Sequence, residues 1–172
     1  MRVKAGLIGC CLILLGVVGW YLFDHFREMK NEVFRLAVYA TNMDYRSYYF
    51  SLTKEGVLTG SMGKRKGVGA KVDIKRRGFL ERTDETASIL LSASELQQLE
   101  DLADMLAASH YQEPLAGGIS WEAKLLHNGI AYRAIYGWEE TTEEFTALLE
   151  AIIELSPISV EVHGLYAPPV SR

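Results

Sequence analysis

The sequence predicts an α+β fold: an antiparallel sheet in hairpin-helix-hairpin-helix order, with two amphipathic helices on one face, preceded by one N-terminal transmembrane helix. Three observations carry this reading. Asn128-Gly129 sits between two apolar-alternating runs and is the strongest short hairpin signal, because both residues accept positive φ. Two segments open with Ser or Thr followed three residues later by Glu, and then carry apolar residues at helical spacing. Ala5 to Phe23 is nineteen residues without a charge, about 28 Å as a helix and close to the hydrocarbon thickness of a bilayer.

The apolar run is read as an uncleaved signal anchor. It ends in Trp20-Tyr21-Leu22-Phe23, too bulky for a signal-peptide cleavage site. Leu7-Ile8-Gly9-Cys10 matches a lipobox locally, but only a few apolar residues precede Cys10 and thirteen follow it. Residues 1–4, with Arg2 and Lys4, form a short cationic stub expected in the cytoplasm. A long C-terminal domain is exported largely regardless of its charge, so a single-pass protein of the cell membrane with its domain outside the cytoplasm is expected. Ala5, Gly9, Gly16 and Gly19 recur as a candidate helix-packing face. Both cysteines, Cys10 and Cys11, lie in the span, so the rest of the chain has neither disulfide nor thiolate chemistry.

Residues 24–44 are expected to be a juxtamembrane segment, since Phe26, Met29, Val33 and Phe34 recur at roughly helical spacing among mixed charges. The domain proper is expected over 45–163 and a flexible tail over 164–172. From Arg46 to Thr53, Tyr48, Phe50 and Leu52 fall on one face, which is strand behaviour. A turn at Glu55-Gly56 leads into Val57–Met62 as the first hairpin. Gly63–Lys71 reads as a loop, Val72–Lys75 and Phe79–Arg82 as short strands about Arg76-Arg77-Gly78, and Ile89–Leu91 as one more. Ser92 and Glu95 form a capping box before Leu96, Leu99, Ala103 and Leu106. In the second hairpin a two-residue turn pairs His127 with Ile130, Leu125 with Tyr132, Ala123 with Ala134 and Trp121 with Tyr136 on a buried face. Glu122, Lys124 and Arg133 then share a wet one. Thr141 and Glu144 box a second helix over Thr142–Leu155, stopped by Ser156-Pro157, and Ile158–Val162 adds a last strand. About four to seven strands result.

The runs YYFSLTKEGVLTG, LSASELQQL and SWEAKLLHNGIAYRAIYG, with a later helix ending in ELSPI, resemble small exported bacterial domains. Those domains ride on a lipid anchor or a single membrane helix, and most are uncharacterised. The resemblance spans most of residues 46–160 and implies a cell-envelope location and an α+β fold. It carries over no catalytic residue.

No motif fixes an activity. His25, His110, His127 and His163 are isolated, without HExxH or paired zinc spacing. Gly60–Lys71 matches neither phosphate-loop pattern. Ser61 lacks the first glycine of a nucleophile elbow. Glu139, Glu140, Glu143 and Glu144 sit where a helix N-terminus favours acids. No catalytic residue, metal or cofactor is therefore expected.

Charge patterning says more. Lys64, Arg65, Lys66, Lys71, Lys75, Arg76 and Arg77 stand against Asp73 alone, a net of +6 in a chain whose total is −4, which leaves −10 elsewhere. These seven are a candidate anion-contact patch for lipid headgroups, a wall polymer or an acidic partner. The anchor and the acidic remainder disfavour nucleic acid. Trp138 and Tyr136 form a candidate partner edge. The expected function is a non-catalytic envelope domain, integral to the membrane, that binds a protein partner or an anionic surface. The alternative is an accessory or assembly subunit of a membrane complex working through its transmembrane helix, and an unrecognised hydrolase comes third.

Overall fold

A computed structural model describes residues 31–40, 46–66, 73–75, 78–109, 121–136, 142–162 and 165–170. Its organising element is strand β1 (Glu32–Ala40), where every residue after Glu32 is buried. In sheet order β1 lies between β2 (Ser47–Thr53) and β5 (Trp121–His127), followed outward by β3 (Val57–Arg65) and β4 (Leu80–Leu90) on one side and β6 (Ile130–Tyr136) on the other. The result is a six-stranded antiparallel sheet with helices α1 (Ala93–Ala108) and α2 (Glu143–Glu154), an α+β domain as expected. Residues Val33–Arg172 form one compact unit. The expected span Ala5–Phe23, its packing face and the cytoplasmic stub lie outside the described residues. Among those described, no helix is long and apolar enough to cross a membrane.

Alternation sorts the side chains. Phe34, Leu36, Val38 and Ala40 of β1, Tyr48, Phe50 and Leu52 of β2, and Trp121, Ala123 and Leu125 of β5 enter one core. That core also takes Leu99, Ala103 and Leu106 from α1 and Phe145, Leu148, Leu149, Ile152 and Ile153 from α2. Each large apolar side chain buried this way contributes about 1.5–3 kcal/mol. Ile158, Val160 and Val162 complete the cover, and glycine at position 60 makes room for it: a β-carbon there would lie 3.0 Å from Ile158 Cγ1. Tyr48 anchors the same segment, accepting a hydrogen bond at its hydroxyl from the Glu161 amide at 3.1 Å.

The second hairpin has the expected register, from Trp121 opposite Tyr136 to His127 opposite Ile130, with Asn128 and Gly129 at φ of 49° and 77°. The capping box of α1 is also as read. The Ser92 amide donates to Glu95 Oε2 at 2.8 Å, and the Glu95 amide donates to Ser92 Oγ at 3.4 Å. α2 is capped one residue later than expected, by Thr142, whose hydroxyl accepts from the Phe145 amide at 3.3 Å. Two adjacent threonines offer the same chemistry, and local pattern does not choose between them.

Four expectations are corrected. Glu32–Ala40, expected inside a juxtamembrane segment with helical spacing up to Arg35, is the strand beside β5, paired from Phe34 with His127 to Ala40 with Trp121. It is buried on both faces, so alternation is absent from its sequence. β3 continues through Gly63 to Arg65 instead of giving way to a loop at Gly63. The two pieces read at Phe79–Arg82 and Ile89–Leu91 are joined, from Leu80 to Leu90, in one eleven-residue strand, β4, whose polar middle belongs to a sheet edge. Ile158–Val162 does not extend the main sheet; β7 (Val160–Val162) pairs with β8 (Leu165–Ala167), inside the stretch expected as tail.

Candidate functional site

The second face of the β5–β6 hairpin was expected to be wet, but the adjoining face of the sheet is roofed in part by Ile74 and Phe79 of the β3–β4 connection. Ile74 is buried against Ala37 and Tyr39, with Phe79, Tyr49 and Leu126 packed around them. The Phe79 ring lies 5.8 Å from Tyr39 and stacks on Tyr49 at 6.2 Å. Polar ties hold the roof: the Lys66 amide donates to the Phe79 carbonyl at 3.3 Å, and Arg35 Nη1 donates to the Lys75 carbonyl at 3.3 Å. Arg35 is only 1% exposed, so the connection is fastened from beneath by a guanidinium on the central strand.

Beside this roof a charged network lies on β1, β5 and β6. Glu122 stands opposite Tyr39, and Lys124 stands opposite both Ala37 and Arg133. Arg133 grips Glu122 with Nε at 2.7 Å and Nη2 at 3.4 Å, and Lys124 Nζ lies 3.7 Å from the same carboxylate. Burial alone would raise the Glu122 pKa. Hydrogen bonds from Arg133 and Tyr39, with the charges of Arg133 and Lys124, outweigh it and hold the carboxyl below the usual carboxylate range. Burial pushes the Tyr39 phenol far up, and the neighbouring Glu122 charge and hydrogen bond add to that. Near neutral pH the carboxylate stays charged and the phenol stays protonated. The pair is suited to holding cations in place, not to proton transfer.

The predicted basic patch divides. Lys64, Lys66 and Lys75 are exposed. Arg65 is turned inward and 4% exposed: its Nη2 donates to the Ala40 carbonyl at 3.0 Å, and its guanidinium carbon sits 4.9 Å above the Tyr39 ring. It therefore does not belong to the solvent-facing patch; the strand that carries it runs on where a loop was read. Lys71, Arg76, Arg77 and Trp138 lie outside the described residues, as does the side chain of Tyr136. Lys124 and Arg133, whose side chains remain partly exposed, were not foreseen as site residues. The hairpin register had put them on one face, but only β1 shows that Tyr39 and the roof join them.

His127 has a structural place. Its Nδ1 donates to the Val33 carbonyl at 2.9 Å, and its Nε2 lies 3.0 Å from Asp104 Oδ1, linking β5 to β1 and α1. Among the described residues no three His, Cys, Asp or Glu side chains gather in a metal-binding arrangement. Comparison with protein-family models, curated proteins and solved structures finds no match to this chain.

Proposed function

We propose that this chain is a non-catalytic domain of the cell envelope, anchored by a membrane helix at Ala5–Phe23, which meets an anionic surface with the sheet face opposite its helices. One observation carries the reading, the division of charge between the two sides. α1 holds Glu95, Glu100, Asp101 and Asp104, α2 holds Glu143, Glu144, Glu150 and Glu154, and neither helix contains Lys or Arg. On the other side stand Lys66 and Lys75 of the roof, with Asp73 between them, and Lys124 and Arg133 of the sheet, which share Glu122, an excess of two cations. Such a molecule turns its roof toward negative charge and its helices away from it. Each cation close to an anionic bilayer contributes on the order of 1 kcal/mol.

The test uses the full chain held in nanodiscs of phosphatidylcholine and co-floated with vesicles, either of phosphatidylcholine alone or containing phosphatidylglycerol. Selective capture by the anionic vesicles, weakened by salt and by joint replacement of Lys66 and Lys75 with glutamine, supports the reading. Equal capture by both vesicle types, or a double variant that behaves as the parent, removes the anionic-surface reading. The accessory-subunit alternative then leads. Failure of the chain to enter nanodiscs removes the anchor instead.

A further inference from the structure

Among the described residues the roof packs on Ala37, Tyr39, Tyr49 and Leu126, and from Tyr49 outward the same face of β2, β3 and β4 has a different chemistry. Register places Tyr49, Ser61 and Thr86 in one row across the three strands, and Ser51, Thr59 and Ser88 in the next. Thr59 and Ser88 are joined through their hydroxyls at 2.8 Å, Ser61 and Thr86 at 3.0 Å, so these side chains point the same way. Thr86 and Ser88 are exposed and the other four half-buried. None of the six is charged, in a chain where 23% of residues are.

We infer that this grid binds an uncharged, ribbon-like polysaccharide, of the β-1,4-linked glucose or N-acetylglucosamine type. A hydroxyl is one donor and two acceptor sites, and a hydroxyl pair consumes one of each in its own bond. Every pair on the grid keeps one O–H and several lone pairs for a ligand, which matches sugar hydroxyls that both donate and accept. Tyr49, stacked on Phe79, supplies an aromatic end to the first row. The absence of charge argues against an ionic polymer at this position. Size argues against a second copy of the chain. Three strands about 4.8 Å apart and two rows about 7 Å apart make on the order of 200–300 Å², well below the roughly 800 Å² per partner of a stable protein interface. The grid meets the roof at Tyr49, which stacks on Phe79, but it uses no cation of the roof, so the two readings fail independently.

The experiment is calorimetric titration of the full chain, in a polyoxyethylene detergent that carries no sugar, with cellohexaose and with chitohexaose. Saturable binding of one of them is expected at up to about 5 mM ligand. It should be insensitive to salt and weakened about tenfold or more when Thr59→Val and Ser88→Ala remove two hydroxyls together. The melting temperature of that variant reports whether it is folded; should it not be, Thr86→Val serves in its place with the same expectation. No binding of either oligosaccharide, or undiminished binding by a folded variant, overturns the inference. Salt-sensitive binding overturns it as well.

Discussion

Replacing Arg65 by glutamine separates a structural cation from a functional one. In the parent, Arg65 makes a charge-assisted hydrogen bond to the Ala40 carbonyl at 3.0 Å and lies 4.9 Å above the Tyr39 ring. The first contact is worth about 1.5–3 kcal/mol and the second about 0.5–2 kcal/mol. Glutamine is too short to reach the carbonyl from the end of β3 and brings no charge to the ring. Removing a buried charge also relieves its desolvation, which offsets part of the loss. The net expectation is a destabilisation of about 2–3 kcal/mol, or roughly 6–9 °C in Tm for a unit of this size. Lys66→Gln, one residue away and exposed, should change stability by less than about 0.5 kcal/mol. Thermal melts of both variants followed by circular dichroism make the comparison, with co-flotation on anionic vesicles beside it. Arg65→Gln should lose stability but retain salt-sensitive capture below its melting point, while Lys66→Gln should keep its stability and weaken capture. Equal melting temperatures for the two variants would refute the inward placement of Arg65 and the extension of β3 beneath it.

Three further outcomes are expected. Gly63→Ala should cost about 3 kcal/mol or more, because a β-carbon there overlaps the Arg82 carbonyl oxygen of the neighbouring strand; a parental urea midpoint would show that β3 and β4 do not approach so closely. Leu99→Asp and Phe145→Asp each place a charge in the main core and should abolish cooperative unfolding, which a parental melt would contradict. Glu122→Gln should lower stability at neutral pH by about 1–3 kcal/mol. The folded pKa of Glu122 lies below the ordinary value, so its contribution is present above the unfolded carboxylate pKa and is lost as pH falls through the folded one. The gap between parent and variant should therefore close below about pH 4, and a gap constant with pH would remove Glu122 from the network.

Local chemistry made some of the fold legible and long-range pairing hid the rest. The hairpin around Asn128-Gly129 could be read residue by residue, because a two-residue turn leaves one register and the apolar positions agree with it. The start of α1 was equally plain, since Ser92 and Glu95 lie within one turn of each other. β1 was not legible. Its identity depends on partners about ninety positions away on β5, and burial on both faces erased the alternation that marks a strand. β4 failed for the opposite reason: an exposed edge has no apolar face over Glu81–Thr86 to announce it.

The same difference explains what happened to the candidate site. Counting charges along the chain found the basic segment and treated Lys64, Arg65 and Lys66 as equivalent, because neighbours in sequence look alike before a strand assigns them to sides. Once β3 extends through Arg65, that residue turns inward over the Tyr39 ring, and Lys64 and Lys66 on either side of it stay exposed. Once β1 lies beside β5, Tyr39 comes opposite Glu122, and Arg35 comes beneath the Lys75 carbonyl. Charge then differs by face: the two helices carry acids without Lys or Arg, and the roofed face carries Lys75, Lys124 and Arg133 against Asp73 and Glu122. A basic stretch on a free loop would have no fixed partner direction. Lys75, held through Ile74 and Arg35 to a central strand, has one, and this gives the proposed contact an orientation as well as a sign.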